Sequence, residues 1–484
     1  MRYTPPGRHK TAAEMRRHLR AVAPSLDCEL ELEDAAGPLG RPLDVRGKKV
    51  LNRFCVHPME GWDAELDGRP SELTLARWRN FGRSGAKMIW GGEAFAVQAD
   101  GRANPRQLYL NPEVDVSGSL GRLFHTLREG HREIGEDPDE LYVGLQLTHS
   151  GRWARPNGEP APRAAVRNPA LDERSGVKSD AGVVTDLELE EIAQHYVDAA
   201  ELAWRTGFDF VDVKCCHGYL MHELLGARAR EGRYGGDFAS RTRLFRRIVT
   251  AIRSSCPQLE IGVRLSFADA FPHRRTGAED GAGSPDGWQA CTPYDNSFGV
   301  DRDDPRRFDL AEPMRFLELL QELDVGLVNV TLGSPYYCPH LQRPATYPPS
   351  DGYQPPHDPL LDVATHLELT RRVKQAQPDM IVVGTGYSYL QEWLPHVAQH
   401  EVRNGHVDLV GLGRMMLSYP ELPRDVLGGR ELERKRICRT FSDCTTAPRH
   451  GLVSGCYPLD ARYKELPEAE RLKEIKGRLR EERA

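Results

Sequence analysis

The segment Phe208–Leu224, FDFVDVKCCHGYLMHEL, contains the residues with the most scope for chemistry. It begins as an apolar strand and continues with Lys214, His217 and Tyr219, after which an apolar helical pattern begins at Leu220. An ammonium, an imidazole and a phenol at the C-terminal end of a strand are groups with which an α/β active site binds an oxygen atom or transfers a proton. We interpret the two cysteines between them as small strand residues.

Seven further apolar runs resemble the strand part of this segment, and amphipathic stretches separate them. Eight strand–helix alternations predict an α/β fold, a single (β/α)8 TIM barrel, rather than a doubly wound sheet. Near-continuous apolar strands agree, because parallel strands are covered on both faces. The runs are Val50–Met59, Lys87–Val97, Leu141–His149, Phe208–Cys216, Glu260–Ser266, Gly326–Leu332, Met380–Gly386 and Val407–Gly413. The predicted helices include Leu73–Ser84, Leu187–Thr206, Arg241–Ser254, Pro313–Leu323, Asp362–Ala376 and Leu390–Gln399.

The chain divides into three predicted parts. These are an N-terminal extension over residues 1–38, the barrel over 39–430, and a C-terminal extension over 431–484 that includes a charged helix. Two long segments rich in Gly, Pro and Asp, residues 271–312 and 334–361, follow the fifth and sixth strands. Loops at these positions overhang the catalytic face of a barrel. We interpret them as a lid or substrate wall, and flexible decoration is the alternative.

The seventh and eighth strands both end in glycine-rich turns, Val382–Gly386 and Val410–Arg414. Glycine lets backbone N–H groups approach an anion closely, and Arg414 adds a permanent positive charge. In barrels, the loops after strands seven and eight commonly bind phosphate. The pattern therefore favours a phosphorylated cofactor or substrate over two turns of purely structural role.

The composition excludes several classes of protein. The chain has 484 residues, of which 39% are hydrophobic and 28% charged, and its net charge is -6. These are values of globular proteins, and the negative charge gives no electrostatic case for nucleic acid or an anionic membrane. No run approaches the roughly 18 apolar residues of a membrane span. The scattered cysteines favour a reducing compartment. We expect a cytoplasmic protein that acts on a small molecule, binds neither nucleic acid nor membrane, and can form a homo-oligomer.

Short motifs occur in order on the expected strands from about Leu39 to Pro423. They are Asn52-Arg53 with Pro58-Met59, Gly92-Glu93-Ala94, Gln146–Arg152, His217–Leu220, Tyr234–Gly236 with Arg241 and Arg243, Val263–Ser266, and Gly411–Arg414. Together they resemble the old yellow enzyme family (NADH:flavin oxidoreductases), in the subgroup related to the barrel domain of 2,4-dienoyl-CoA reductase and trimethylamine dehydrogenase. The resemblance implies a (β/α)8 barrel with FMN as cofactor and NAD(P)H as electron donor.

The resemblance also implies a flavin site built from strand ends. Gln146 would bind the pyrimidine edge of the flavin through its amide, and Arg264 would stabilise negative charge at the N1–C2 end. The alternatives are a satisfied core amide for Gln146 and a buried ion pair for Arg264. The other implied cofactor contacts are Pro58, Met59, Glu60 and Ala94 along the ring, and Gly384, Gly386, Gly413 and Arg414 at the phosphate.

Tyr219 and His217 would lie over the flavin face. In the family, hydride passes from flavin N5 to the β-carbon of an activated C=C bond, and a tyrosine protonates the α-carbon. Tyr219 matches that tyrosine, and an ordinary phenol, with a pKa of about 10, stays protonated at neutral pH. His217 would bind the carbonyl or nitro oxygen of the substrate.

Lys214 departs from the family, which usually has a second histidine or an asparagine at this position. We group it with His217 and Tyr219 as catalytic. It can bind the substrate oxygen or select a carboxylate-bearing substrate. Alternatively it can pair with Glu60, which replaces a small Thr or Cys beside the flavin. Trp62 stands where relatives often carry an aromatic lid residue, so we predict substrate contacts for Trp62, Lys214 and His217.

Three C-terminal cysteines, Cys438, Cys444 and Cys456, are a second departure. Relatives with a [4Fe–4S] cluster have four closely spaced cysteines here, and Phe441 stands where one ligand would fall. We therefore expect no metal, with a cluster or a zinc on the three thiols as the alternative. The sequence contains no GxGxxG motif after a strand that would indicate a further dinucleotide-binding domain. We therefore expect electrons to enter at the FMN.

The sequence thus predicts an FMN-dependent, ene-reductase-like NAD(P)H oxidoreductase that reduces an activated C=C bond of an enone or enoate. Two alternatives remain. One is a flavin-dependent dehydrogenase or demethylase that passes electrons to a protein partner. The other is a flavin-binding protein without turnover.

Overall fold

The computed structural model describes residues 3–277 and 281–481. Residues 1–2, 278–280 and 482–484 lie outside the described residues. They belong to the predicted N-terminal extension, the segment after the fifth strand and the C-terminal extension, respectively. Among the described residues, no helix has the length and apolar composition to cross a membrane.

Eight parallel strands form a closed barrel, which confirms the predicted (β/α)8 fold. The second strand consists of two short pieces, and both pair with the third strand, so that the ring closes. The strands are Phe54–Val56, Met88–Ile89 with Ala94–Ala96, Tyr142–Thr148, Phe210–Val213, Glu260–Ala268, Leu327–Leu332, Ile381–Gly384 and Leu409–Leu412. Each coincides with a predicted run, and the fifth extends two residues beyond its run.

Large apolar side chains fill the N-terminal end of the barrel. Trp90 and Phe210 pack edge to face with their ring centroids 5.1 Å apart. A hairpin of Leu43–Val45 and Lys48–Val50 belongs to the same buried cluster, to which it contributes Val45 and Val50. Because this end is closed by packing, the C-terminal end of the strands is the end at which a ligand can bind.

Helices surround the barrel, and local signals set their ends. The longest, Asp186–Thr206, begins with a capping box between Thr185 and Glu188 and ends at Gly207, whose φ is 104°. The helices of ten residues or more are Ala12–Val22, Glu72–Gly82, Val116–Arg132, Asp186–Thr206, Arg243–Ser255, Ala311–Glu322, Pro359–Ala376, Leu394–Arg403 and Pro467–Glu481. The shorter ones are Asp172–Ser175, Leu220–Gly226, Phe238–Arg241, Pro339–Gln342, Met415–Ser418, Leu422–Leu427, Asp443–Arg449 and Ala461–Lys464.

The predicted helix Leu390–Gln399 is wrong as a single element. A 3₁₀ segment, Tyr387–Trp393, precedes the α-helix Leu394–Arg403. Gln391 has a φ of 55°, which interrupts the helical run, and its side-chain oxygen accepts a hydrogen bond from the backbone of Gly7. A contact with the distant N-terminal segment thus accompanies the break.

The helix Val116–Arg132 is absent from the predicted set. It contains three glycines, which lower the intrinsic helix propensity. Gly130 has a packing reason: a Cβ there would lie 2.3 Å from the carbonyl oxygen of Arg79, in the neighbouring helix Glu72–Gly82. The residue that weakens the sequence signal is therefore the one that lets the two helices approach.

Candidate active site

A cavity of about 310 Å³, the main cavity, opens at the C-terminal ends of the strands. Segment 334–361 and residues 444–454 complete its wall. Of the two predicted walls, segment 271–312 contributes no lining residue within the described part of the chain. The predicted site residues that line the cavity are Pro58, Met59, Glu60, Trp62, Gln146, Lys214, His217, Tyr219, Arg264, Gly386, Gly413 and Arg414.

Two predicted contacts, Ala94 and Gly384, are not among the described lining residues. The carbonyl oxygen of Ala94 accepts a hydrogen bond of 2.8 Å from Gln107 Nε2. A Cβ at Gly384 would lie 3.2 Å from both Tyr387 and Val407. Both positions therefore support the strands around the cavity.

Asp212 holds two residues that line the main cavity, Gln146 and Arg264. Its carboxylate accepts hydrogen bonds from Gln146 Nε2 at 2.6 Å, Trp90 Nε1 at 2.8 Å and the backbone N–H of Arg264 at 2.6 Å. Burial raises the pKa of Asp212 to about 6, and these hydrogen bonds oppose the rise. Because Gln146 donates to Asp212 through its amide nitrogen, its amide oxygen is left to accept from a ligand.

Arg264 lines the cavity with a guanidinium group that forms no salt bridge in the described chain. Its Nη1 donates to the carbonyl oxygen of Pro58 at 3.1 Å, and its buried Nε has no partner among the residues described. No described carboxylate forms a salt bridge with it, so the alternative of an ordinary ion pair is not realised. Burial lowers the pKa of Arg264, and nearby Cys216 and Asp212 oppose this change. A buried guanidinium with an unused N–H is suited to a ligand oxygen or anion.

One end of the main cavity, the basic end, consists of Arg343, Gly386, Gly413 and Arg414. Arg414 Nη2 donates to the carbonyl oxygen of Pro344 at 2.8 Å, and Arg343 Nη1 donates to the hydroxyl of Thr445. Arg414 Nη1 and Arg343 Nη2 are buried without a partner within residues 3–277 and 281–481. Burial, followed by the charges of Arg449 and Arg414, lowers the pKa of Arg343. An anion between these cations would relieve their repulsion and satisfy both free donors.

The opposite end, the aromatic end, consists of Glu60, Trp62, Lys214, His217, Tyr219 and Tyr336. The Tyr219 hydroxyl donates to the Glu60 carboxylate and lies 2.9 Å from the hydroxyl of Tyr336. Trp62 Nε1 donates to the other oxygen of Glu60 at 3.1 Å. Burial, followed by the charge of Glu60, raises the pKa of Tyr219 well above its ordinary value. Tyr219 is therefore a protonated phenol at neutral pH.

The backbone of His217 is held by two serine side chains, one in the fifth strand and one just after the sixth. It adopts a φ of 67°, its N–H donates to Ser266 Oγ at 3.0 Å, and its carbonyl oxygen accepts from Ser334 Oγ at 2.8 Å. Its Nε2 lies 3.3 Å from Gln342 Nε2, which can only donate, so the ring proton is placed on Nδ1. Burial and the charges of Arg264 and Lys214 lower the pKa of His217 well below 6.5. The imidazole is therefore neutral and has one N–H donor.

Lys214 forms no salt bridge with Glu60 or any other carboxylate in the described chain. Its Nζ lies 3.8 Å from the centroid of the Tyr219 ring, a cation–π geometry. Burial lowers the pKa of Lys214, and Glu60 is among the charges that oppose this change. Of the two predicted roles, the direct pair with Glu60 is not formed, and Tyr219 stands between the two charges.

A buried ionic network holds the turn that carries Glu60 and Trp62. Arg77 Nη2 contacts Asp63 Oδ1 at 2.8 Å and Glu93 Oε2 at 2.7 Å, and Glu93 also accepts from the backbone N–H of Gly61. Burial raises the pKa of Glu93 to about 7, and Arg77 opposes the rise. The network fixes the position of Glu60 from the side away from the cavity.

The NADH:flavin oxidoreductase / NADH oxidase family has a sequence model that matches residues 38–285, just over half of the chain. The chain belongs to this family. An NADPH dehydrogenase of Geobacillus sp. (strain WCH70) is 26% identical over 387 residues, which cover 79% of this chain and 91% of that protein.

Two solved structures share the fold of this NADH:flavin oxidoreductase. A 2-naphthoyl-CoA reductase in complex with 2-naphthoyl-CoA is 18% identical with a TM-score of 0.64, and the match covers 90% of this chain and 58% of that chain. An old yellow enzyme homologue from Zymomonas mobilis is 19% identical with a TM-score of 0.54, and the match covers 81% and 93%. The chain thus spans little more than half of the first of these proteins. The predicted resemblance to old yellow enzymes is confirmed.

FMN is the cofactor of this NADH:flavin oxidoreductase and NAD(P)H is its electron donor, as the sequence predicted. The residues of the main cavity fit FMN. The unpartnered donors of Arg343 and Arg414 suit its phosphate, and Gly386, at the same end, has a φ of 103°, which glycine adopts without strain. Gln146 and Arg264 would offer an acceptor and a cation to the flavin edge.

Several site residues of the oxidoreductase escaped the sequence analysis. Among them are His57, Tyr336 and Arg343, which line the main cavity, and Asp212, which accepts a hydrogen bond from Gln146. Asp212 could have been found, because its carboxylate interrupts the apolar run FDFVDV. His57 stands next to the predicted Pro58, and its Nε2 lies 3.1 Å from Thr385 Oγ1. Tyr336 and Arg343 lie in segment 334–361, which has no periodic pattern that would orient a side chain.

The three C-terminal cysteines line a small cavity. Cys438, Cys444 and Cys456 line it together with Phe441, and its volume is about 20 Å³, close to that of one water site. Burial raises the pKa of Cys438 and of Cys456, so both are thiols at neutral pH in the metal-free protein. Three thiols and a phenyl ring do not fit a four-cysteine iron–sulfur cluster.

Proposed function

We propose that this flavin oxidoreductase reduces an activated C=C bond, such as that of an enone or enoate. Bound FMN, once reduced by NAD(P)H, supplies the hydride, and Tyr219 supplies the proton. One observation carries the proposal: Tyr219 and His217 share the main cavity with Gln146 and Arg264. A proton donor and an oxygen-binding group thus face the same space as the implied flavin contacts.

His217 and Lys214 bind the oxygen atom that activates the double bond. Neutral His217 donates from Nδ1, since Gln342 occupies Nε2. Lys214 adds a buried positive charge that stabilises an enolate-like oxygen. A substrate carboxylate would satisfy the same ammonium, which favours enoates over simple enones.

Tyr219 donates the proton, and its neighbours stabilise the phenolate that forms and return a proton to it. In the resting arrangement its O–H donates to Glu60, so the hydroxyl hydrogen must turn toward the substrate before transfer. Lys214 above the ring stabilises the phenolate that remains. Glu60 and Tyr336, both in contact with the Tyr219 oxygen, are the groups placed to return a proton.

A second candidate is oxidation of an amine, with electrons passed to a protein partner. It is favoured by one observation: the Glu60 carboxylate lies among the rings of Trp62, Tyr219 and Tyr336, which suits an organic cation. The ammonium of Lys214 above the Tyr219 ring opposes a cation at this place. We therefore rank alkene reduction first.

Anaerobic stopped-flow spectroscopy on the FMN-loaded protein tests the proposal. NADPH or NADH should bleach the flavin absorbance, and an enone or enoate should then restore it. Failure of both nucleotides to bleach the flavin would refute the reductase function. Bleaching by an amine, followed by reoxidation by a one-electron protein acceptor but by no alkene, would establish the second candidate instead.

A further inference from the structure

A second cleft, here called the outer cleft, lies beside the main cavity. Its volume is about 510 Å³, and it shares Trp62, Asp351, Pro448 and Arg449 with the lining of the main cavity. Trp62 donates to Glu60, so the shared wall adjoins the aromatic end. A ligand longer than the main cavity can therefore extend from Tyr219 into the outer cleft.

The outer cleft carries an excess of positive charge. Arg106, Arg155 and Arg449 line it with a single carboxylate, that of Asp351, among the described lining residues. Arg449 pairs with Asp351. Arg106 and Arg155 form no salt bridge in the described part of the chain, and Arg106 Nη1 donates only to a carbonyl oxygen, that of Ala64, at 3.2 Å. Two guanidinium groups are thus available to an anion.

The positive charge of the outer cleft has an electrostatic effect on the aromatic end of the main cavity. Burial raises the pKa of Tyr336, and Arg449 and Arg155 are among the groups that oppose this rise. Tyr336 in turn contacts the hydroxyl of Tyr219. The same cations that attract an anion into the outer cleft therefore act on the aromatic end.

The walls of the outer cleft suit a planar apolar group as well as an anion. Trp62, Pro105, Pro448, Leu66 and Leu452 form its apolar surfaces. A flat heterocycle against such surfaces, with phosphate on neighbouring arginines, is the chemistry of a nucleotide.

We propose that the outer cleft binds the phosphorylated nucleotide part of a long ligand whose reactive end lies in the main cavity. The ligand is either the nucleotide hydride donor or an electrophilic substrate that carries a nucleotide tail. The proposal rests on the proposed function, because that function places the reactive end at Tyr219. Arg155 and Arg106 bind the phosphate, and Trp62 lies between the two parts of the ligand.

Calorimetric titration of the FMN-loaded protein tests the site without turnover. The probes are 2′,5′-ADP for the NADPH tail, 5′-ADP for the NADH tail and 3′,5′-ADP for a coenzyme A tail. At least one should bind, and its affinity should fall as salt rises. Arg155→Glu should weaken that binding about tenfold or more, and Arg155→Lys should lose less. Arg17→Glu, the same charge reversal on the exposed face of the N-terminal helix, is the matched control and should change nothing.

The pattern of probe affinities identifies the ligand. Preference for 2′,5′-ADP or 5′-ADP assigns the cleft to the hydride donor, and preference for 3′,5′-ADP assigns it to a substrate tail. No binding by any probe, or binding unchanged in both Arg155→Glu and Arg106→Gln variants that retain FMN, overturns the proposal. Failure of the alkene half-reaction with probe binding intact would instead reject the proposed function and leave this site standing.

Discussion

The two ends of the main cavity differ in whether their polar groups have hydrogen-bond partners. At the basic end, Arg343 and Arg414 keep buried N–H donors without a partner among the described residues. At the aromatic end, Glu60, Trp62, Tyr219 and Tyr336 are joined by hydrogen bonds to one another. The basic end thus has free donors for an anion, whereas the groups around the Tyr219 hydroxyl already bind one another.

This difference matches two tasks. A resident cofactor phosphate is best held by donors that have no competing partner, because no hydrogen bond must be broken on binding. A proton donor must instead change partners during a cycle, so a Tyr219 hydroxyl already bound to Glu60 has a place from which to take a proton. Substitutions at the two ends should therefore affect different measurements.

The largest effect is expected at the aromatic end. Tyr219→Phe should slow the alkene half-reaction by roughly 10²–10⁴-fold, the usual contribution of a general acid, and leave flavin reduction by nicotinamide nearly unchanged. Single-turnover kinetics measure both half-reactions. Tyr336→Phe, which removes a hydroxyl in contact with the Tyr219 hydroxyl, is the matched control and should have a much smaller effect. Equal slowing of both half-reactions in Tyr219→Phe would contradict its role as acid.

A smaller effect, on a different measurement, is expected at the basic end. Arg343→Ala or Arg414→Ala should weaken FMN binding about 10- to 100-fold, because each removes a charge-assisted hydrogen bond. Fluorescence titration of the FMN-free protein gives the Kd. With FMN saturating, the alkene half-reaction should stay close to wild type. Arg246→Ala, which breaks an exposed 3.2 Å pair with Glu322, should leave the Kd unchanged. Unaltered FMN affinity in both cavity variants would show that these cations serve another ligand.

The smallest effect concerns the partner of the acid. Glu60→Gln keeps the size of the side chain and removes its charge, which contributes to the raised pKa of Tyr219. At neutral pH the alkene half-reaction should change by only about tenfold, because Tyr219 still donates the proton. Its loss of rate at alkaline pH should begin at lower pH, because the Glu60 charge no longer raises the pKa of Tyr219. A pH–rate profile of that half-reaction in both proteins provides the check. An alkaline loss of rate at the same pH in both proteins would contradict the effect of the Glu60 charge on the pKa of Tyr219.

Much of the fold could be predicted from the sequence, because local residue patterns determine the barrel strands and most of the helices. Apolar runs predicted the positions of all eight strands. The Thr185 cap and Gly207 explain where the longest helix begins and where it ends. The helix Val116–Arg132 escaped because Gly130 serves packing at the expense of helix propensity. The break at Gln391 escaped because its partner, Gly7, is 384 residues away.

Part of the candidate site could likewise be predicted from the sequence, and part could not. Sequence alone determined that Lys214, His217 and Tyr219 lie at one strand end and that glycines with Arg414 lie at two others, since strand alternation and turn chemistry are local. Only the tertiary structure decided that Glu60 accepts a hydrogen bond from the Tyr219 hydroxyl, 159 residues away. It also decided that Tyr336 and Arg343 line the cavity and that Arg155 lines a cleft beside it. These contacts depend on how long segments without a periodic pattern pack over the barrel, and packing is a property of the folded chain.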